Sequence, residues 1–217
     1  MNLEPHLTEL NYNEVLLYLG YRGQDIDSVL ESQIRRCMEE VSKVSRPRLV
    51  YRRVRKDALS LPGKDIAELL ESSDEMIVGA ITLGSEAEGL LRRREIQNMA
   101  DAVILDSAES VAVENVADNF QRELGEELFL EGLYLTDRFS PGYGDLPLGV
   151  QSDLLGLLDA SRRIGLAMTS GNLMVPRKSI SFVMGVSRVP QKKRKRGCED
   201  CSMFLSCSYR KEGRECR

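Results

Sequence analysis

The sequence of 217 residues has one histidine, no apolar run long enough to span a membrane, and almost no cysteine before residue 198. A membrane-spanning helix needs roughly 20 apolar residues in a row, and a secretory signal peptide needs an apolar segment near the N-terminus. Neither pattern is present, so we expect a cytoplasmic protein that does not contact a membrane. His6, the one histidine, lies near the N-terminus and has no recognisable catalytic partner in the sequence.

Four of the five cysteines lie in the last 20 residues, at Cys198, Cys201, Cys207 and Cys216. Disulfides that cross-link a domain are not usually clustered in this way. A cluster of thiols in a cytoplasmic protein is more often a metal site or redox-active. Zinc and iron–sulfur clusters both use four thiolates, and a redox-sensitive tail without metal is the alternative. The fifth, Cys37, shares helical spacing with neighbouring apolar residues and is predicted to lie in the core.

Charge is divided unevenly along the chain. Residues 191–217 contain nine Lys or Arg and four Asp or Glu, a net charge of +5, whereas the rest of the chain has a net charge of −9. The acidic body argues against nucleic acid as the main partner, because binding to phosphates needs a positive surface. The basic run at 192–196 has two interpretations, a solvated linker to the cysteines or a segment that binds nucleic acid.

The sequence mixes helical and extended patterns without strict alternation. Asn11 or Asn13 is expected to cap a first short helix, and Asp27 or Ser28 a second one. Further helices are predicted at 65–72, at 85–130 with a break near 98–101, and at 150–163, and strands at 49–54, 76–83, 133–137 and 179–187. The mixture predicts an α+β fold with helices around a mainly antiparallel, bent sheet. We expect a body at 1–189 and a small Cys-rich tail at 190–217.

The most distinctive segment is the loop at 138–147, Arg-Phe-Ser-Pro-Gly-Tyr-Gly-Asp-Leu-Pro. Pro141 fixes its own φ, and Gly142 and Gly144 allow positive φ or a close approach of another molecule to the backbone. Arg138 has a planar guanidinium that can bind a carboxylate at two points. Because the segment follows a predicted strand, it is a candidate loop for a small charged ligand. An ordinary surface turn beside a solvated arginine would have the same local pattern.

This loop and the segments after it are similar to the reactivation domain of cobalamin-dependent methionine synthase. In that family an Arg-x-x-Pro-Gly-Tyr loop is followed by a helix, a Gly-x-x-Leu-Thr type turn, a Met-x-Pro element and a serine-rich strand. The corresponding segments here begin at Gly165, Met174 and Ser179, and the resemblance covers roughly residues 134–187. The family usually has an aromatic residue in the serine-rich strand where this chain has Met184-Gly185.

The resemblance implies an S-adenosylmethionine site. Arg138 would bind the carboxylate of the ligand, and backbone groups near Pro141, Gly142 and Tyr143 would contact its adenine. Glu109, on a preceding helical segment, would hold the amino group, unless it is a solvated residue on a helix face. The implied function is to hold the sulfonium methyl group over cobalamin on a partner module, so that inactive cob(II)alamin is converted to methylcobalamin.

The implied partners are a cobalamin-binding methyltransferase module and a flavodoxin-like electron donor. The chain would then be a component of the methionine synthase system, in methionine biosynthesis. Two other hypotheses depend on the cysteines: a corrinoid-protein activator whose tail holds an iron–sulfur cluster, and a zinc-tailed adaptor that binds nucleic acid or protein. An ultraviolet–visible spectrum after anaerobic purification tests the cluster, and titration with S-adenosylmethionine separates the reactivation module from the adaptor.

Overall fold

A computed structural model describes residues 3–191, which form the α+β fold with an antiparallel sheet that the sequence predicts. The α-helices of this part of the chain are α1 Tyr12–Tyr18, α2 Ser28–Val44, α3 Lys64–Leu69, α4 Ser85–Gln97, α5 Met99–Leu130, α6 Val150–Leu158 and α7 Ala160–Ile164. The strands are β1 Arg48–Arg55, β2 Glu75–Thr82, β3 Tyr134–Leu135, β4 Ala167–Met168, β5 Met174–Val175 and β6 Ser179–Ser187. None of these helices is long and apolar enough to cross a membrane.

The first two helices begin at side chains that the sequence singles out. The Asn11 side chain accepts hydrogen bonds from two N–H groups of the first turn of α1, and the Asp27 side chain accepts one from the N–H of Leu30 in α2. These bonds satisfy N–H groups that have no partner within the helix. Cys37 is buried in α2, as predicted, and burial raises the pKa of its thiol to about 11.

The helical region predicted at 85–130 breaks at Asn98, within the expected interval. Asn98 has an extended backbone that ends α4, and its side chain accepts hydrogen bonds from the N–H groups of Ala100 and Asp101 at the start of α5. The helix predicted at 150–163 is instead two helices, because Asp159 lies between α6 and α7 with a φ of 53°. A residue in the left-handed region cannot continue a right-handed helix.

Four strands form one sheet in the order β1-β2-β6-β3, and β4 and β5 form a separate two-stranded sheet. β3 is antiparallel to β6, with Tyr134 opposite Ser187 and Leu135 opposite Val186. Nearly every residue of the central strands β2 and β6 is buried, whereas much of the edge strand β1 is exposed. Continuous burial is typical of strands that are covered on both faces.

The described residues cluster into two compact units, each made of three segments of the chain. Unit 1 consists of the residues up to Val50, Ala80–Leu124 and Asp159–Ile180, and unit 2 of Tyr51–Gly79, Gly125–Leu158 and the described residues from Ser181. The largest fully buried side chains of unit 1 are Ile34, Ile81, Leu83, Leu91, Leu105 and Leu124, and those of unit 2 are Ile66, Met76, Ile77, Leu128, Leu146 and Phe182. The predicted boundary between body and tail stays a prediction, since residues 192–217 lie outside the described part.

Candidate functional site

The 138–147 loop is anchored to the central strand β6 of unit 2. Phe139 exchanges two backbone hydrogen bonds with Val183, its N–H donating at 2.9 Å and its carbonyl accepting at 2.8 Å. Just before it, the N–H of Thr136 donates to the Gly185 carbonyl at 3.0 Å, and the Thr136 hydroxyl accepts from the Gly185 N–H at 2.8 Å. Arg138 lies between these two anchors, so the backbone that carries its guanidinium is held on both sides. Its side chain is half-buried.

Three backbone hydrogen bonds close the middle of the loop into a compact turn. The Tyr143 N–H donates to the Ser140 carbonyl at 3.1 Å, the Gly142 N–H to the Leu146 carbonyl at 2.9 Å, and the Leu146 N–H to the Tyr143 carbonyl at 3.1 Å. Pro141 and Leu146 are buried, whereas Gly142 is exposed and Tyr143 is 52% exposed. The turn therefore keeps its apolar residues inside and leaves the peptide between Gly142 and Tyr143 at the surface, where a ligand can contact backbone groups.

Gly142 is required by its backbone angle rather than by crowding. Its φ is 91°, in the region that favours glycine, while a Cβ added there would meet only the Leu148 side chain, at an ordinary 3.5 Å. Gly144 also has a positive φ, 51°. Of the two roles that the sequence left open for these glycines, positive φ and close approach of another molecule, the structure shows positive φ at both.

Close packing requires a glycine at position 185 of the serine-rich strand β6. A Cβ at Gly185 would collide with the Ser73 hydroxyl, and it would lie 3.0 Å from side-chain carbons of Leu70 and Thr136. Met184 beside it is fully buried. An aromatic side chain therefore has no room at position 185.

Glu109 lies on α5 in unit 1 and is completely buried. The alternative that it is a solvated residue on a helix face is therefore wrong. Neither of its carboxyl oxygens has a hydrogen-bond partner within residues 3–191. Burial raises the pKa of this carboxyl to about 8, against an opposing effect of the Lys178 ammonium. A buried carboxyl without a partner avoids its charge by keeping its proton, so Glu109 is mainly neutral at pH 7.

Lys178 does not pair with Glu109, although it has the largest effect of any charge on its pKa. The Lys178 ammonium donates to the Asp106 carbonyl at 2.9 Å and to the Ser110 hydroxyl at 2.8 Å, and it forms an ion pair with the Asp106 carboxylate at 2.9 Å. Its donors are used on the residues that flank Glu109 along α5. The Glu109 carboxyl therefore has no hydrogen bond from Lys178.

Of the predicted ligand contacts, Arg138, Pro141, Gly142 and Tyr143 share one loop of unit 2, and Glu109 belongs to unit 1. The assignment of all five to one ligand stays a prediction. The predicted metal ligands Cys198, Cys201, Cys207 and Cys216 lie outside the described residues. Within residues 3–191, no group of three or more His, Cys, Asp or Glu side chains could hold a metal ion. Zinc and an iron–sulfur cluster remain predictions for the tail.

Asp145, which no motif in the sequence singles out, ties the loop to α3. The Asp145 carboxylate accepts hydrogen bonds from the backbone N–H groups of Lys64, at 2.6 Å, and Asp65, at 3.2 Å. These residues lie about 80 positions earlier in the chain, and no local pattern predicts so distant a contact. The one available signal was Gly63, since a helix that begins after glycine lacks a capping side chain of its own.

No protein-family model matches this chain, and no curated protein matches it in sequence. Its structure is similar to the crystal structure of the MetH reactivation domain bound to AdoHcy, with a TM-score of 0.60. The match covers 95% of this chain and 82% of that chain, at 15% sequence identity. A likeness at this identity shows a shared fold, and it agrees with the resemblance that the 138–147 loop indicates.

Proposed function

We propose that this chain is an S-adenosylmethionine-binding reactivation module. It would help to convert inactive cob(II)alamin to methylcobalamin on a cobalamin-dependent methionine synthase or a related methyltransferase. The observation that carries the proposal is the 138–147 loop: an Arg-x-x-Pro-Gly-Tyr sequence whose Gly142 has a φ of 91° and whose Gly142–Tyr143 peptide is exposed. The fold around it is similar to a reactivation domain solved with AdoHcy. AdoHcy and S-adenosylmethionine have the same adenosine and amino-acid groups, so one site can accept both.

The carboxylate and the adenine of the ligand have proposed contacts in the loop. The guanidinium of Arg138 binds the carboxylate, for which its planar pair of donors is suited. The backbone near Pro141, Gly142 and Tyr143 contacts the adenine, because the turn leaves this peptide at the surface. The anchors of the loop on β6 support this assignment, since a ligand is bound more tightly by groups that are already in place.

Glu109 is proposed to bind the amino group of the ligand. Support comes from its burial and from the lack of hydrogen-bond partners for its two oxygens within the described part of the chain. A cation stabilises the ionised form of a carboxyl and lowers its pKa. The pKa of unbound Glu109 is raised to about 8, so binding of an ammonium group would release a proton near pH 7.

The proposed contribution of the chain to reactivation is positioning. Holding two reactants in the correct geometry removes much of the entropic cost of bringing them together. The cobalt of a partner cobalamin-binding module supplies the redox chemistry when it is bound, with a flavodoxin-like protein as the proposed electron donor. The residues of this chain bind and orient the sulfonium ligand, and this role needs no nucleophile or general base.

Calorimetric titration with S-adenosylmethionine tests the proposal. The full chain is compared with Arg138→Ala and with Arg52→Ala, which removes an exposed arginine of β1 in the same unit. Loss of charge-assisted hydrogen bonds of roughly 1.5–3 kcal/mol predicts about ten- to a hundredfold weaker binding for Arg138→Ala. Arg52→Ala is expected to bind like the unsubstituted chain. A folded Arg138→Ala protein with unchanged affinity would overturn the assignment.

A further inference from the structure

We infer that Asp145 is a positioning residue for the ligand loop, and that it acts by fastening the loop to α3. The inference rests on the proposed function for the identity of the ligand. Both ends of the 138–147 loop have other supports: β6 pairs with Phe139 at one end, and α6 begins at Val150 after the other. Residues 144–145 lie between them, and Asp145 connects this part of the loop to a distant element of unit 2 through two hydrogen bonds.

The two hydrogen bonds to Asp145 also cap the N-terminus of α3. α3 has only six residues, and its N-cap residue Gly63 makes no side-chain hydrogen bond. Asp145 supplies the missing cap from the loop, since its two carboxylate oxygens accept from the N–H groups of Lys64 and Asp65. These backbone hydrogen bonds, with that of Lys64 contributing most, lower the pKa of Asp145. The carboxylate therefore remains charged at neutral pH and keeps both bonds.

Two glycines allow the loop and helix to approach this closely. A Cβ at Gly63, which has a φ of 144°, would lie 2.6 Å from a carboxylate oxygen of Asp145. A Cβ at Gly144, which has a φ of 51°, would collide with the carboxylate of Asp65. Each segment thus has a glycine where the aspartate of the other segment is packed. Such reciprocal packing indicates a specific junction rather than a chance contact between two surface segments.

The junction bears on the ligand site through the turn itself. The hydrogen bonds from Gly142 to Leu146 and from Leu146 to Tyr143 enclose residues 144–145, so the fastened residues form the tip of the turn. Releasing the tip allows these two bonds to open, and the exposed Gly142–Tyr143 peptide then loses its fixed conformation. Asp145 does not need to touch the ligand in order to set its affinity, because it keeps the binding peptide in place.

Amide hydrogen exchange of the full chain without ligand tests the junction directly. We expect Asp145→Ala to speed exchange at the Gly142 and Leu146 amides by about two- to thirtyfold, the range that corresponds to loss of a helix cap. Asp145→Asn and Asp145→Ser retain a capping oxygen, so their exchange rates should fall between those of the unsubstituted chain and Asp145→Ala. The matched control is Ala67→Gly, which weakens α3 at an exposed position without touching the junction. It should speed exchange in α3 and leave the loop unchanged.

Titration of the same variants with S-adenosylmethionine connects the junction to the ligand. Asp145→Ala should weaken binding by a factor similar to its effect on loop exchange, with partial rescue by Asp145→Asn and affinity within about twofold of normal for Ala67→Gly. Unchanged loop exchange in Asp145→Ala would overturn the inference, as would equal loss of affinity in Ala67→Gly, because α3 stability alone would then be responsible. If the unsubstituted chain does not bind S-adenosylmethionine, the proposed function fails, and the exchange rates alone still decide whether the junction exists.

Discussion

Burial raises the pKa of Glu109, and no nearby charge reverses this shift. The side chain has no exposed surface, and its oxygens have no hydrogen-bond partner within residues 3–191. An ionised carboxylate in such surroundings is costly, so the proton is retained to a much higher pH than in an exposed glutamate. The same feature that makes Glu109 a candidate for cation binding therefore makes the protein without ligand sensitive to pH.

The first prediction concerns stability against pH. The pKa of Glu109 is raised from 4.5 to about 8, so folding binds a proton that the unfolded chain loses above pH 4.5. The contribution of this proton to the free energy of unfolding is fully present below pH 4.5. It falls by about 1.4 kcal/mol per pH unit as the pH rises to about 8. Glu109→Gln removes this slope. Urea unfolding of both proteins at pH 5, 6, 7 and 8 measures the difference, and a constant difference across the series would contradict the raised pKa.

A second residue-scale prediction concerns Gly142. Its φ of 91° costs other residues about 1–2 kcal/mol, although the space around it would admit a methyl group. Gly142→Ala is therefore expected to weaken S-adenosylmethionine binding by about five- to thirtyfold, since the loop must adopt this conformation to bind. The control is Gly149→Ala, because Gly149 has no positive φ and no neighbouring atom within 4 Å of an added Cβ. Equal affinities for the two variants would show that the turn does not contact the ligand.

Three helices of unit 1 are joined by one buried carboxylate. Asp101, near the start of α5, accepts hydrogen bonds from Gln33 at 2.7 Å and Arg36 at 3.1 Å, both on α2, and from Arg94 on α4 at 3.4 Å. Arg94 also bonds to Glu40 of α2 at 2.7 Å. Because the Asp101 side chain is only 3% exposed, water cannot replace these partners at low cost.

Asp101→Ala is expected to lower the free energy of unfolding by about 1.5–3 kcal/mol, the usual contribution of hydrogen bonds to a charged group. Urea unfolding monitored by circular dichroism measures the effect. Asp25→Ala, a change at an exposed aspartate of the same unit, should alter stability by less than about 0.5 kcal/mol. If both substitutions had the same small effect, the hydrogen bonds of Asp101 would not be what holds the three helices together.

The whole molecule brings together segments that are far apart in sequence. Each of its two units contains three separate segments, and every helix and strand of the described part ends by Ser187. Residues 192–217 include few apolar side chains. Fixing the backbone of a residue costs roughly 1–2 kcal/mol of conformational entropy, and burial of so few apolar groups offsets little of this cost.

We therefore predict that a chain shortened after Val189 unfolds cooperatively, with a midpoint close to that of the full chain, and still binds S-adenosylmethionine. We also predict that the full chain, purified anaerobically, contains about one zinc ion or one iron–sulfur cluster that the shortened chain lacks. Thermal unfolding and metal analysis of both chains measure these properties. Equal, near-zero metal content would refute the metal site, and a shortened chain that does not fold would refute the division into body and tail.

Local signals in the sequence were sufficient for most of the secondary structure. Asn11 and Asp27, each predicted as one of two candidate caps, act on N–H groups two or three residues away, so their roles depend only on nearby positions. The predicted helix break near 98–101 is confirmed at Asn98. The predicted strand at 133–137 is confirmed in place but is only two residues long. The break at Asp159 was not predicted, because the left-handed region is uncommon for a residue other than glycine.

The sequence by itself determined the α+β class and the loop at 138–147 with glycines that can adopt positive φ, since each depends on residues that are close in the chain. Only the tertiary structure decided that Glu109 is buried, that Gly185 excludes an aromatic residue, and that Asp145 caps a helix about 80 residues earlier. Helical spacing places a residue on one side of a helix, but the elements that pack there determine its burial and therefore its pKa. Contacts between distant segments arise from folding and have no local signature.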